Sequence, residues 1–157
     1  VTIQIDQMLA EKFGMEYVDK DGQKKNPYII HRTSIGCYER TLALLIEKYA
    51  GAFPTWLSPV QVKFLPVADR HQDYCREVMS KLQAAGVRCE LDDRSEKTGF
   101  KIRSAQMEKV PYMIIVGDKD IEANTISVRS RKNGDEGATS VDEFLSRIVT
   151  EIATKAR

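Results

Sequence analysis

VQVKFLPVADRHQDYCREVMSKLQAAGVRCEL, residues 60–91, decides the fold. Val60 to Val67 reads as a strand. Asp69 stands where a helix cap is needed. The apolar stripe that follows is Tyr74, Val78, Leu82 and Ala85, at helical spacing, and Gly86 stops it. Val87, Cys89 and Leu91 alternate with polar residues as a second strand. Downstream the rhythm continues. Residues 99–108 predict a short helix, and Tyr112 to Val116 an apolar strand between Pro111 and Gly117. Asp118-Lys119 is expected to turn the chain into an alternating strand, Thr125 to Arg129. NGDEGAT, residues 133–139, reads as a glycine-rich acidic loop. Ser140 and Glu143 form a capping-box pattern before a helix whose face is Val141, Phe144, Leu145, Ile148 and Ile152. The order β-α-β-α-β-β-α predicts an α/β fold, a mixed β-sheet flanked by helices.

Upstream the pattern differs. Val1 to Ile5 alternates, Met15 to Val18 is a short strand candidate, Asp21-Gly22 is a turn dipeptide, and PYIIH (27–31) is a further strand. Residues 15–31 thus read as two antiparallel strands around a polar turn. Tyr38, Leu42, Leu45, Ile46 and Tyr49 share one helix face, and Gly51 follows it. AFPTWLSP, residues 52–59, carries two prolines that block helix continuation, so a boundary is expected near Leu57, dividing the chain into 1–57 and 58–157. A first residue Val inside a strand pattern is expected of a piece of a longer polypeptide.

Composition excludes several classes. The chain has 157 residues, 42% hydrophobic and 30% charged, as in a globular domain. No apolar run approaches the roughly 18 residues of a membrane span, and no signal peptide opens the chain, so no membrane partner is expected. Cys37, Cys75 and Cys89 are odd in number and widely spaced, which fits neither a disulfide framework nor a self-contained zinc site and points to a reducing, intracellular setting.

The net charge of +1 is an average. Residues 94–132 hold nine basic and five acidic side chains, whereas the flanks are neutral or acidic. Arg94, Lys97, Lys101, Arg103 and Lys109 gather around one predicted helix, Lys119 lies in a turn, and Arg129 and Arg131, two apart, are expected on one strand face. Such a block suits the phosphates and bases of single-stranded RNA; a solvated charged surface is the plain alternative. The other constellation is HRTSIGCYER, residues 31–40. Gly36 at a strand-to-helix junction lets backbone approach a ligand, and Arg40 can stack on a base or pair with phosphate. The same residues also fit a turn glycine and a solvated arginine. His31 has no local Cys/His cluster, and Cys37 no local triad.

Taken together, HRTSIGCYER followed by LIEKYAGAFPTWLSPVQV resembles the third signature motif and domain junction of class II aminoacyl-tRNA synthetases, and among these the threonyl members. TIQID, DDRSEKTGFKIR, VPYMIIVGDKD and SVRSR continue the resemblance along the whole chain. It implies a remnant of the antiparallel class II catalytic sheet followed by an anticodon-binding domain, and an enzyme that joins threonine to tRNA-Thr using ATP with Mg. Arg40 matches the motif-three arginine that clamps ATP. His31 matches one of three ligands of a catalytic-site zinc, whose other two lie outside this chain. Thr2, Gln4, Gly36 and Cys37 match the ATP and threonine pocket, with Cys37 where Ser is usual. Ser95, Arg103, Lys109, Lys119, Asp120 and Arg129 match the anticodon-loop contacts, with Ser95 replacing Asn, Lys109 replacing Arg and Asp120 replacing Glu. The resemblance further implies a cytoplasmic enzyme and a homodimer for full-length members. Motifs one and two are absent, so no aminoacylation is expected of this chain alone. A free-standing tRNA-binding module or accessory subunit is the alternative, and retention of both His31 and Arg40 argues against it.

Overall fold

In the computed structural model, residues 2–33 and 36–156 are described. Val1, at the head of the first predicted strand, and Ser34 and Ile35, inside HRTSIGCYER, lie outside them, as does Arg157. The chain forms two units, Val1–Glu47 and Lys48–Arg157.

In the first unit, β1 (Thr2–Asp6) is followed by α1 (Leu9–Lys12), β2 (Tyr17–Val18), β3 (Lys24–Lys25) and β4 (Ile29–Thr33), and then by α2 (Tyr38–Tyr49), which continues into the second unit. The expected pairing of Met15–Val18 with PYIIH does not form. β2 pairs with β3, and β4 pairs antiparallel with β1. The polar turn explains this. Gly22 takes φ +74°, and the Lys25 ammonium is gripped by the Asp19 and Asp21 carboxylates, so the hairpin closes within seven residues. Pro27 has no N–H to extend that ladder, and β4 is released to β1. α1 was not legible, because one helical turn has no periodicity; Asp6 starts it by accepting from the N–H groups of Met8 and Leu9 at 2.8 Å. Those two bonds hold the Asp6 carboxyl below its ordinary pKa. Ile3, Ile5 and Ile30 are each more than 60% exposed, and Ala10 is the one buried hydrophobic residue of this unit among the described residues.

The second unit is built on β5 (Val62–Pro66), a 3-10 turn (Asp69–His71), α3 (Gln72–Ala84), β6 (Cys89–Leu91), α4 (Thr98–Met107), β7 (Tyr112–Val116), α5 (Asp118–Ala123), β8 (Thr125–Ser130), β9 (Gly134–Ser140) and α6 (Val141–Thr154). The sheet order is β6-β5-β7-β8-β9. The first three strands are parallel, and β8 and β9 return antiparallel. Alternate residues of the central strands face opposite sides. Val62, Phe64, Ile114, Ile126 and Val128 meet Val78 and Leu82 of α3 and Phe144 and Ile148 of α6, which makes the larger core. Leu65 and Met113 point the other way, onto Ala105 of α4 and Val110. The β-strands on both faces carry apolar residues because both faces are covered there.

Four expectations change. Asp69 does not cap α3; the backbone N–H of Ala68 instead donates to Nδ1 of the buried His71 at 3.1 Å. The Asp118-Lys119 turn is a helix, because Asp120 Oδ2 accepts from the Gly117 N–H at 2.8 Å and Asn124 ends the segment at φ +51°. NGDEGAT is mostly strand β9; its glycines hide the pattern, and a register shift between Val128 and Arg129 accommodates it. Of the capping box, Ser140 Oγ does accept from the Glu143 N–H, but the Glu143 carboxylate accepts from Thr139 instead.

The segment after α2 is tied down by side chains that donate to its carbonyls. Lys109 Nζ donates to Ala50, Arg131 to Phe53 (2.7 Å), Gln61 to Thr55 (2.8 Å), and Arg88 to Trp56 (2.9 Å) and Ser58 (2.8 Å). Thr55 in turn donates to Glu151 of α6 at 2.5 Å. A proline-rich connector with no ladder of its own thus has its backbone acceptors satisfied by the domain it leads into.

Candidate nucleic-acid interface

The two faces of the five-stranded sheet are unequally covered. α3 and α6 span one face, whereas α4 packs on the other, against β5 and β7, and the short α5 lies against β8 and β7, with Asp120 reaching Ser127. β8 continues this second face. Arg129 pairs with Met113 and Ser127 with Ile115, so both side chains project on the α4 side. Arg129 is half-buried and, among the described residues, its guanidinium has neither a hydrogen bond nor an ion pair. Arg103, exposed on α4, is free in the same sense, as are Lys97, Lys119 and Lys132.

The rest of the basic block is spent inside the fold. Arg94 makes a two-pronged pair with Asp92 (2.8 and 2.6 Å) and lies over the Phe100 ring; the pairing holds the Asp92 carboxyl below its usual range. Lys101 is buried. Lys109, at φ +59°, turns its ammonium to the Ala50 carbonyl. Arg131 is not on the Arg129 face as expected: the strand has ended, and its guanidinium donates to the carbonyls of Lys109 and Phe53. The sequence counts charge but not its commitments, so the free cations are fewer than the block suggests.

Ser95 follows β6 and Lys119 follows β7, so both stand at the carboxyl edge of the parallel strands, where α/β sheets bind ligands. Ser95 is exposed and Lys119 is exposed. Asp120 is different. It is 8% exposed, with Oδ2 on the Gly117 N–H and Oδ1 accepting from Ser127 Oγ at 2.7 Å. Its carboxylate organises the edge. Beside it, Asp118 receives Arg70 through Nε (2.9 Å) and Nη2 (2.6 Å), and His71 Nε2 lies 2.9 Å away. Because His71 Nδ1 accepts from Ala68, its proton sits on Nε2 and points at Asp118. Arg70, then His71, hold the Asp118 carboxyl well below the usual range. Both acids flanking Lys119 are therefore satisfied without it. These internal uses of Arg70, His71 and Asp118 had no signature in the sequence beyond their spacing.

In the first unit, Gln4 and His31 are direct cross-strand partners, and Thr2 pairs with Thr33, so Thr2, Gln4 and His31 project from one face of the β1–β4 ribbon. Gly36 takes φ +83°, a conformation that suits glycine, just before α2. The Cys37 thiol donates to Glu39 at 2.6 Å, and that bond lowers the Glu39 pKa. Arg40 is exposed and without an internal partner among the described residues. No three His, Cys, Asp or Glu side chains converge among the described residues in a way that could hold a metal. His31 does not make a zinc site with its own neighbours. No described helix is long and apolar enough to cross a membrane.

Comparison with known proteins bears on both units. The family model described as "Anticodon binding domain" matches residues 61–151, and "tRNA synthetase class II core domain (G, H, P, S and T)" matches residues 1–49. The threonine–tRNA ligase of Clostridium botulinum (strain Eklund 17B / Type B) is 62% identical over 99% of this chain. That of Caldanaerobacter subterraneus subsp. tengcongensis is 52% identical over 99%. The chain spans 24% of the length of each. A crystal structure titled as the RNA binding domain of threonyl-tRNA synthetase from Cryptosporidium parvum Iowa II superposes with TM-score 0.70 at 28% identity, covering 94% of this chain and 38% of that one.

Proposed function

We propose, from the premise that the chain belongs to the anticodon binding domain family, that its second unit reads the anticodon loop of tRNA-Thr for a threonine–tRNA ligase. The observation that carries this reading is the α4 side of the sheet: Arg103 and Arg129 stand there as cations without internal partners, while the rest of that face is packed or paired. Free guanidinium groups beside a partly open strand suit unstacked bases, since Arg presents a planar fork to a base edge or a stacking plane. Ser95 and Lys119 extend the surface along the carboxyl edge, and Asp120 acts by holding the Gly117–Ser127 corner. Lys109 contributes through the position of its backbone, or by giving up Ala50 when RNA is present.

The first unit fits the end of a class II catalytic domain. Its Thr2–Gln4–His31 face and the unpartnered Arg40 suit a threonine and ATP pocket, with Arg40 offsetting triphosphate charge in adenylate formation. Mg would accompany the ATP. His31 would supply one imidazole to a zinc whose remaining ligands lie outside these residues. The bare faces around Ile3, Ile5 and Ile30 suit a ribbon that joins a larger sheet. The 157 residues alone do not aminoacylate, and a cytoplasmic homodimer is the setting proposed for the longer enzyme.

The test uses the whole 157-residue chain and a tRNA-Thr anticodon stem-loop. Arg129→Ala should weaken binding by roughly 1–3 kcal/mol, the discrimination a bidentate base contact provides, with an unchanged melting temperature. Equal affinity of the wild-type chain for a scrambled loop would sink the reading.

A further inference from the structure

One cation of the basic block is buried without a salt bridge of its own among the described residues. Lys101, in the first turn of α4, is 3% exposed. Its Nζ donates to the Pro66 carbonyl (3.1 Å), at the end of β5, and to the Asp92 carbonyl (3.2 Å), just past β6. An ammonium has three donors, so one remains. No carboxylate within the described residues bonds to it; the Asp92 carboxylate lies near enough to feel its charge, but both oxygens are taken by Arg94. A desolvated ammonium that is hydrogen-bonded only to neutral carbonyls, with its neighbouring carboxylate already bound by Arg94, gains from an anion on its third N–H.

Lys101 lines an open crevice of about 360 Å³ at the carboxyl edge of the sheet, shared with Val67, Ala68, Asp69, Ser95 and Lys97. Arg94 and Glu96 complete the wall, so three cations face two carboxylates, and Arg94 is already paired. Among the described residues no aromatic side chain lines it. A base pocket would offer a stacking platform, whereas a backbone site needs only donors and access.

We propose that this crevice is a phosphodiester subsite, in which the third N–H of Lys101 takes a non-bridging oxygen of the RNA strand, with Lys97 at the rim. This rests on the anticodon-loop reading above and adds a residue that none of the contacts named there includes. The two carbonyl bonds hold the ammonium in place before RNA arrives, so the contact needs little reordering.

The experiment measures binding of the tRNA-Thr anticodon stem-loop to the full chain across a salt series. Lys101→Met removes the donor but also leaves two carbonyls unpaired. Ala68→Glu therefore serves as the second variant: it puts a carboxylate into the crevice and keeps Lys101, its bonds and the Ala68 N–H that reaches His71. Both variants should weaken binding equally for matched and scrambled loops, and the slope of log K against log salt should become shallower by about 0.7, one phosphate contact on a single strand. Unchanged affinity and slope for a folded Ala68→Glu would overturn the subsite while leaving the anticodon reading intact. A loss confined to one loop sequence, at unchanged slope, would overturn it in favour of a base contact. Failure of the wild-type chain to bind the stem-loop at all would overturn the anticodon reading, and the subsite with it.

Discussion

Replacing Asp120 separates a residue that touches RNA from one that shapes the surface. Its two oxygens accept from the Gly117 N–H at 2.8 Å and from Ser127 Oγ at 2.7 Å, and it is 8% exposed. Each hydrogen bond to a charged group is worth about 1.5–3 kcal/mol. Water can re-enter at the rim and satisfy the Ser127 hydroxyl, so Asp120→Ala should cost about 2–4 kcal/mol rather than the full sum. For a domain of this size that lowers the melting temperature by roughly 10 °C or more. Asp120→Asn keeps a carbonyl oxygen for Gly117 and an amide for Ser127 Oγ, and should cost well under half as much. Thermal unfolding of the three chains, with stem-loop binding measured well below their transitions, gives both quantities. The Ala variant should lose stability first and affinity only as a consequence of a loosened edge. An Asp120→Ala chain that melts like wild type yet binds the stem-loop tenfold less tightly would refute this assignment and restore a direct contact.

Two further outcomes follow from buried charge. Lys63 is 4% exposed and pairs with Glu108 (2.6 Å) and Glu90 (3.2 Å); burial works against its charge, but the two carboxylates outweigh it and hold its pKa above the usual lysine range. Urea titration should therefore show Lys63→Met within about 1 kcal/mol of wild type, because both glutamates return to water, while Glu90→Ala with Glu108→Ala strands the ammonium and costs about 3–5 kcal/mol. Asp118 has a folded pKa depressed by Arg70 and His71, so its contribution is present above the unfolded value near 4 and is lost as pH falls through that value toward the folded one. Stability measured between pH 6 and 2.5 should decline less steeply in Asp118→Asn than in wild type.

The core of the second unit was readable because its periods are long enough to register: the Tyr74–Val78–Leu82 stripe and the Tyr112–Val116 run reappear as α3 and β7. The failures share a cause, which is that short elements are set by hydrogen bonds and not by hydrophobic spacing. α5 depends on the Asp120 carboxylate bond to Gly117, and β9 on pairing with β8 across a bulge. Strand partners were harder still. PYIIH gives β4 its apolar character but does not say that β1 will receive it. At the candidate interface, charge type and position were legible, whereas occupancy was not. Arg129 and Arg131 look alike in sequence, and only the fold shows one guanidinium free and the other consumed by two carbonyls.

That consumption has a consequence for how the chain is cut. A stretch with Pro54 and Pro59 looks like a tether that a protease would nick. Yet cleavage needs several residues to peel away together, and here every step of peeling strips a cation or amide from a carbonyl: Arg131 from Phe53, Gln61 from Thr55, Arg88 from Trp56 and Ser58. The strap resists, and the exposed Asp93–Lys97 loop becomes the softer target. A truncation that begins after the prolines would remove these acceptors and leave Arg88, Arg131 and Gln61 with unmet donors at the base of the sheet.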